Sequence, residues 1–517
     1  MKETPNNQKL VLSIDCGTQS IRALVFDQQG HLLAKVKEEF EPYISTKPGY
    51  AEQDPYVYWN NCIKCVQGLQ EQHKELMENV VALCVTTMRN TGVCLDDKGR
   101  VIKPALLWLD QREASVSKKL SWYYRIAFKI IGMDKPIEMS RKQCKANWIV
   151  EHEPDTWDQT AKYVQLSGFF HYMLTGKIVD SIGSQVAQVP FNYKTQKWVK
   201  SKKAYQYEVF NIDKSRLSKL VKPGIDIGPI TKEVSELFGF DHEVSVIAGA
   251  SDKGCETLGV GCLDTSKASI SFGTTATIQT TSDKYVEPIK FLPSYPAAIP
   301  NKFNPEIQVF RGYWMIRWFK QEFASKERRL AKQLGITPEA ILDKELSKIS
   351  PGADGLLLQP YWKPDLKNPE AKGSIIGFND VHTRAHIYRA IIEGINYSLY
   401  EGLERIQRVT KTKIDKIYVS GGGSSSDSIC QITADMFGLS VVRGETYESS
   451  GLGAAITGYV SLGIYSSYEE AIQEMVRETD FFEPDMKTHE KYDKIYHLVY
   501  KKIYQRLKKL YKIMDQL

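Results

Sequence analysis

The sequence predicts an α/β protein made of two related lobes, on three observations. A short apolar run at residues 9–14 ends in Asp15-Cys16-Gly17-Thr18, and a second run at 21–26 closes with Asp27-Gln28-Gln29-Gly30, the pattern of a β-hairpin. The same pattern returns half a chain later, where Gly273-Thr274-Thr275 separates apolar runs at 268–272 and 276–280, which suggests a duplication. Strand-like stretches at 81–85, 92–95, 244–248 and 417–419 alternate with long amphipathic segments such as 388–407, as α/β lobes require. Pro223-Gly224 and the stretch 238–250 place the boundary, giving one lobe over residues 1–249 and another over 250–517.

Composition bounds the partners. The 517 residues are 42% hydrophobic and 25% charged, enough for more than one core. The net charge of +6, from 68 basic against 62 acidic residues, is too small and too dispersed for a nucleic-acid footprint. The basic run 491–512 carries Tyr492, Ile495, Val499, Ile503, Leu507 and Leu510 at helical spacing, which predicts a packed terminal helix over a membrane-surface one. Nine cysteines, an odd and scattered set, argue against a disulfide framework and fit a reducing cytoplasm; Cys62 and Cys65 read as core thiols of an amphipathic helix. Residues 1–8 are polar, and no apolar stretch approaches the ~20 residues that span a bilayer, so no membrane partner is expected.

Three loops carry candidate chemistry. In the Asp15-Cys16-Gly17-Thr18 turn, glycine lets backbone amides approach a phosphate, the Thr18 hydroxyl and a following arginine add donors, and Asp15 can hold a metal through water. Common turn chemistry accounts for the same residues. The second such turn, at Gly273, favours the functional reading, since two of them facing each other would grip a nucleotide phosphate chain. Ser420-Gly421-Gly422-Gly423-Ser424-Ser425-Ser426 lies between a strand and a helix carrying Gln431 and Asp435, a nucleotide-cradling order; a flexible linker is the bland alternative. Asp252 follows an apolar strand, where a carboxylate can act as general base towards an alcohol or simply cap a helix or turn.

Taken together these segments resemble the FGGY carbohydrate kinases. Asp15 to Thr18 with Gln19, Ser20, Ile21 and Arg22 is similar to that family's first phosphate motif. Ser271-Phe272-Gly273-Thr274-Thr275-Ala276 resembles the second, and the glycine loop with Gln431, Ala434 and Asp435 the adenosine motif. Pro48-Gly49-Tyr50-Ala51-Glu52-Gln53-Asp54-Pro55 with Trp59, the stretch 145–155 with Trp148, and Gly373-Ser374-Ile375-Ile376-Gly377-Phe378 resemble further family segments.

The resemblance implies two ribonuclease-H-like lobes around a central cleft, of the actin and hexokinase type. The N-terminal lobe mainly binds sugar, the C-terminal lobe mainly ATP, and closure excludes water. It implies ATP and Mg²⁺ as cofactors, Asp252 as general base, Asp15 near magnesium, and Thr18, Gln19 and Arg22 around the γ-phosphate. Gly273, Thr274 and Thr275 would face the phosphates, Gly422, Gly423 and Ser426 would border adenosine, and Arg89 and Trp108 would line the sugar pocket. The expected substrate is a small carbohydrate, and a homodimer is compatible with the sequence.

Substrate choice is less constrained. Thr87-Met88-Arg89-Asn90 has the arginine of glycerol kinases but Asn90 where those carry an acid, and it lacks the Met-His pair of many xylulose kinases. Lys253 stands where those groups place Gln or Asn; it either meets a substrate carboxylate or turns to solvent or a neighbouring acid. A pentulose such as xylulose ranks first, a polyol such as glycerol or erythritol second, a sugar acid third. A non-catalytic sugar- or nucleotide-binding regulator and a chaperone-like ATPase are the rival classes.

Overall fold

The computed structural model describes residues 8–362, 370–514 and 516, so the polar opening stretch 1–7 lies outside the described residues. The chain forms two compact units. The first comprises Met1–Gly259, Tyr295–Phe303 and Glu448–Val476; the second comprises Val260–Ser294, Asn304–Tyr447 and Arg477–Leu517. This division departs from a single cut after residue 249. The helix that follows that position packs within the first unit, and two later segments of the chain join it there.

The first unit is built on one six-stranded sheet. Strands β1 (Leu10–Cys16), β2 (Ser20–Phe26) and β3 (Leu32–Glu39) form an antiparallel meander. Strand β4 (Val80–Thr87) runs parallel to β1; β5 (Asp226–Pro229) closes the edge antiparallel to β6 (Ser245–Ile247), which runs parallel to β4. The order is β5-β6-β4-β1-β2-β3. Every residue of β1 is buried, because helices cover both faces of the sheet centre. At the β3 edge Lys35, Lys37 and Glu39 remain in solvent, the charge that discourages edge pairing.

Helix α1 (Pro55–Gln72) starts where Asp54 accepts from the Tyr56 amide and Pro55 presets the first turn. It buries Tyr58, Cys62, Cys65, Val66 and Leu69 at three- and four-residue spacing, so the Cys-x-x-Cys pair is core. Helix α2 (Leu166–Thr175) packs against the same sheet.

Two further helices set the site. Helix α3 (Asp252–Gly259) and the later Ser449–Ser461 cross at backbone contact. A Cβ at Gly259 would lie 1.9 Å from the Ser449 carbonyl, and one at Gly453 would lie 1.9 Å from the Cys255 carbonyl. Only glycine permits this crossing.

The second unit repeats the sheet. Strands β7 (Lys267–Phe272), β8 (Ala276–Gln279) and β9 (Glu306–Val309) form the antiparallel part. Strands β10 (Lys416–Ser420) and β11 (Ser440–Gly444) continue parallel to β7, and β12 (Glu478–Phe482) closes the edge antiparallel to β11, in the order β9-β8-β7-β10-β11-β12. The shared order bears out the duplication. Helices α4 (Arg384–Thr410) and α5 (Asp427–Phe437) pack on this sheet, and Ser449–Ser461 in the first unit is α6.

The terminal helix is packed as expected but on a different row. A π-helical turn at Tyr496–Tyr500 interrupts Met486–Ile495 and Lys501–Met514. It shifts the helical phase, so Tyr492, Tyr496, Tyr500, Ile503, Tyr504 and Tyr511 are buried, whereas Val499 and Leu510 face solvent.

Candidate active site

In the first unit the parallel strands end together. Register pairs Asp15 with Thr86 and Cys16 with Thr87, and Thr87 bridges Ser251 in the same parallel sense. This row puts the β1–β2 turn, Arg89 and Asp252 at the carboxyl ends of the strands, where α/β sheets bind ligands. Asp252 follows a strand-like bridge and is the first residue of α3.

Asp15 and Arg22 are cross-strand partners, and Arg22 Nη1 donates to Asp15 Oδ2 at 2.9 Å. Arg22 also lies 3.3 Å from Glu448, which pairs with Lys35 at 3.0 Å. Burial pushes the Asp15 carboxyl up to about 6 against the pull of Arg22, and the nearby Asp252 and Glu448 charges add to the rise. Arg22 therefore braces two carboxylates. Glu448 escaped sequence reasoning because 426 positions separate it from Arg22 and no motif marks it.

The Thr18 hydroxyl accepts from Trp108 Nε1 at 2.9 Å and approaches Met88 Sδ at 3.5 Å, so a residue expected at phosphate and one expected at sugar are joined directly. Gln19 is exposed at the tip of the turn, and its carbonyl accepts from the Phe40 amide.

Arg89 Nε donates to Ser251 Oγ at 3.2 Å and lies 3.8 Å from Asp252 Oδ1. Burial raises the Asp252 carboxyl above its ordinary value; Arg89 and Lys253 oppose the rise, and Glu256 adds to it. The side chain keeps 33% of its surface exposed, so solvent screens these charges and reaches the group. Lys253 Nζ reaches Glu256 Oε2 at 2.7 Å, the neighbouring-acid alternative. Asp252 and Lys253 both lie in the first turn of the helix.

A buried hub centres on Arg112. Arg112 Nη1 lies 2.7 Å from Glu52 and Nη2 2.8 Å from Asp110, while its guanidinium stacks 3.8 Å from the Tyr50 ring centre and 4.5 Å from that of Trp148. Three residues of the matched family segments, Tyr50, Glu52 and Trp148, thus converge on one arginine that sequence reasoning had not singled out.

In the second unit the strand ends are again aligned, with Ser271 paired to Ser420 and Val419 to Arg443. The Gly273 and Thr274 carbonyls accept from the Tyr313 and Trp314 amides, fixing the turn on which Thr274 is exposed and Thr275 half-buried. Ser426 caps α5 by accepting from the Ile429 amide at 3.2 Å, and Arg443 binds the Ser424 carbonyl at 2.7 Å. The glycine loop is therefore ordered and not a linker. A Cβ at Gly423 would lie 2.4 Å from the Tyr313 ring, whereas one at Gly422 meets nothing within 4 Å. Gln431 binds Asp435 at 2.8 Å. Asp343, also missed, is held above the usual carboxylate range by burial while the Ser426 hydroxyl pulls it down.

Among the described residues no group of three or more His, Cys, Asp or Glu side chains is arranged to hold a metal ion, and no helix is long and apolar enough to cross a membrane. A single buried carboxylate such as Asp15 suits Mg²⁺ that takes its other ligands from phosphates and water.

Two α/β units of one strand order, each with a glycine-threonine hairpin at the carboxyl ends of its parallel strands, define a protein of the actin and hexokinase fold. Residues 10–259 match the N-terminal domain, and residues 268–462 the C-terminal domain, of the FGGY family of carbohydrate kinases, and the chain belongs to that family. It is 28% identical over 511 residues to a xylulose kinase of Staphylococcus epidermidis, covering 97% of this chain and 98% of that one. It is also 28% identical over 497 residues to a gluconokinase of Bacillus licheniformis, covering 94% of each. The solved structure of a ligand-bound xylulose kinase from Lactobacillus acidophilus superposes with a TM-score of 0.82 at 24% identity, over 98% of this chain and 100% of that one.

Proposed function

We propose that the chain transfers the terminal phosphoryl group of ATP to a hydroxyl of a small ketose, a pentulose of the xylulose type, with Asp252 as general base. The observation that carries this reading is the setting of Asp252. It stands at the carboxyl ends of the parallel strands, opens a helix, stays partly open to solvent, and has Arg89 beside it. In the reaction Asp252 takes the hydroxyl proton as the acceptor oxygen bonds to phosphorus and the bond from that phosphorus to the bridging oxygen of ADP breaks.

Arg89 and Trp108 orient the acceptor, and the Thr18 hydroxyl and the amides of its turn meet the phosphates. In the second unit Gly273, Thr274 and Thr275 contact phosphate, and Gly422, Gly423 and Ser426 border adenosine. Mg²⁺, held through Asp15, would neutralise phosphate charge when bound. All nine cysteines are buried and unpaired, which supports a reducing cytoplasm.

The gluconokinase relative favours a sugar acid as the second reading, with Arg89 as the cation near the base. Because Lys253 pairs with Glu256, the sugar acid ranks second to the pentulose in this reading. Purified protein with ATP and Mg²⁺ should give its highest kcat/KM with xylulose or ribulose among ketoses, polyols and aldonates. A preference for gluconate would replace the pentulose reading, and inactivity across the panel would remove both.

A further inference from the structure

We propose that Tyr295 is a positioning residue of the acceptor site, acting by holding Arg89 in place. The proposal rests on the kinase reading of Arg89 and Asp252 given above.

The segment Tyr295–Phe303 lies 43 residues beyond Asp252 yet packs within the first unit. Contacts to Gln196 and Tyr193 fix it there, and one bond inside the segment closes its turn. The Lys302 carbonyl accepts from Gln196 Nε2 at 2.9 Å, the Ala297 amide donates to the Lys302 carbonyl at 3.1 Å, and the Tyr295 ring meets the edge of Tyr193 at 5.9 Å. Tyr193 is pinned in turn, its hydroxyl donating to the Ala187 carbonyl at 2.9 Å.

The ring held in this way lies under Arg89, with the guanidinium carbon 5.1 Å from the ring centre. Two constraints on Arg89 come from different parts of the chain. Ser251 Oγ takes its Nε, which sets the distance to Asp252, and the Tyr295 face sets the plane of the guanidinium. A hydrogen bond to Nε sets a distance, and an aromatic face against the guanidinium restricts its tilt. Since the Arg89 side chain is only 12% exposed, small changes in its plane redirect the edge it presents beside the base.

The test combines kinetics with a resonance that needs no acceptor. Tyr295→Leu should raise KM for the acceptor sugar roughly 2- to 30-fold, the range of a cation–π contact, while KM for ATP stays unchanged. Tyr295→Phe keeps the ring and should restore the acceptor KM. In arginine Nε–H spectra of the full-length protein, the Arg89 signal, assigned through Arg89→Lys, should lie upfield in wild type and in Tyr295→Phe and move downfield in Tyr295→Leu. Thermal melting checks that each variant is folded. Unchanged KM and an unmoved signal in Tyr295→Leu, or Tyr295→Phe as impaired as Tyr295→Leu, would overturn the proposal. If wild type phosphorylates no sugar, the kinase reading fails separately, and the Arg89 signal alone decides whether Tyr295 holds this arginine.

Discussion

Lys253 Nζ sits 2.7 Å from Glu256 Oε2, one turn along the helix whose first residue is Asp252. The two charges bias the carboxyl of Asp252 in opposite directions, Lys253 downward and Glu256 upward. Lys253→Gln should therefore move the acidic limb of the kcat/KM profile to higher pH, and Glu256→Gln should move it to lower pH. A pH-rate series on the two variants checks the signs, and shifts in the same direction would separate the pair from the base.

Asp252→Asn keeps the shape of the side chain and removes its basicity. Turnover should fall by about 10²–10⁴, the usual contribution of a general base, with ATP affinity near wild type. Steady-state kinetics together with calorimetric ATP binding measures both, and near-normal turnover would take Asp252 out of the reaction.

Folding raises Asp15 from its ordinary 3.8 to about 6, so the native chain binds this proton more tightly than the unfolded chain does. The sign follows: keeping Asp15 ionised costs stability, fully above about pH 6 and not at all well below the unfolded value. The full cost is about 3 kcal/mol. Asp15→Asn should accordingly gain melting temperature over wild type between about pH 4 and about pH 8. Its apparent Mg²⁺ requirement should also rise. Thermal melts at the two pH values test the first, and a pH-independent difference would contradict it.

Arg112 is 2% exposed at its side chain, pairs with Glu52 and Asp110, and stacks on Tyr50 and Trp148. Lysine cannot reproduce two ion pairs and two ring faces at once. Arg112→Lys should cost about 3 kcal/mol in urea unfolding, the scale of a broken buried pair, and Arg112→Ala more.

At the glycine loop, Gly423→Ala forces a Cβ against the Tyr313 ring and should lower stability and nucleotide affinity together. Gly422→Ala meets nothing within 4 Å and should leave the melting temperature unchanged. A rise in KM for ATP in Gly422→Ala without loss of stability would place the nucleotide against that face.

What the sequence disclosed follows the range of the interactions involved. Hairpin strands, the glycine loop and the amphipathic helices are local patterns. The strands at residues 80–87 and 416–420 extend the expected 81–85 and 417–419 by a residue or two at each end. Glu448, Tyr295 and Arg112 were not legible, because each acquires its role by meeting residues far away in sequence. The phase of the terminal helix failed for a local reason, since no propensity scale anticipates an extra residue in one turn.

The division of the chain also constrains its synthesis. The backbone leaves and re-enters the first unit, whose last portion, Glu448–Val476, contains the helix that crosses α3 at backbone contact. On the ribosome, the segment bearing Asp252 must wait for nearly two hundred further residues before its support exists. A chain terminated before residue 448 would thus lack the packing that holds its acid, although every motif of its amino-terminal half had already been translated.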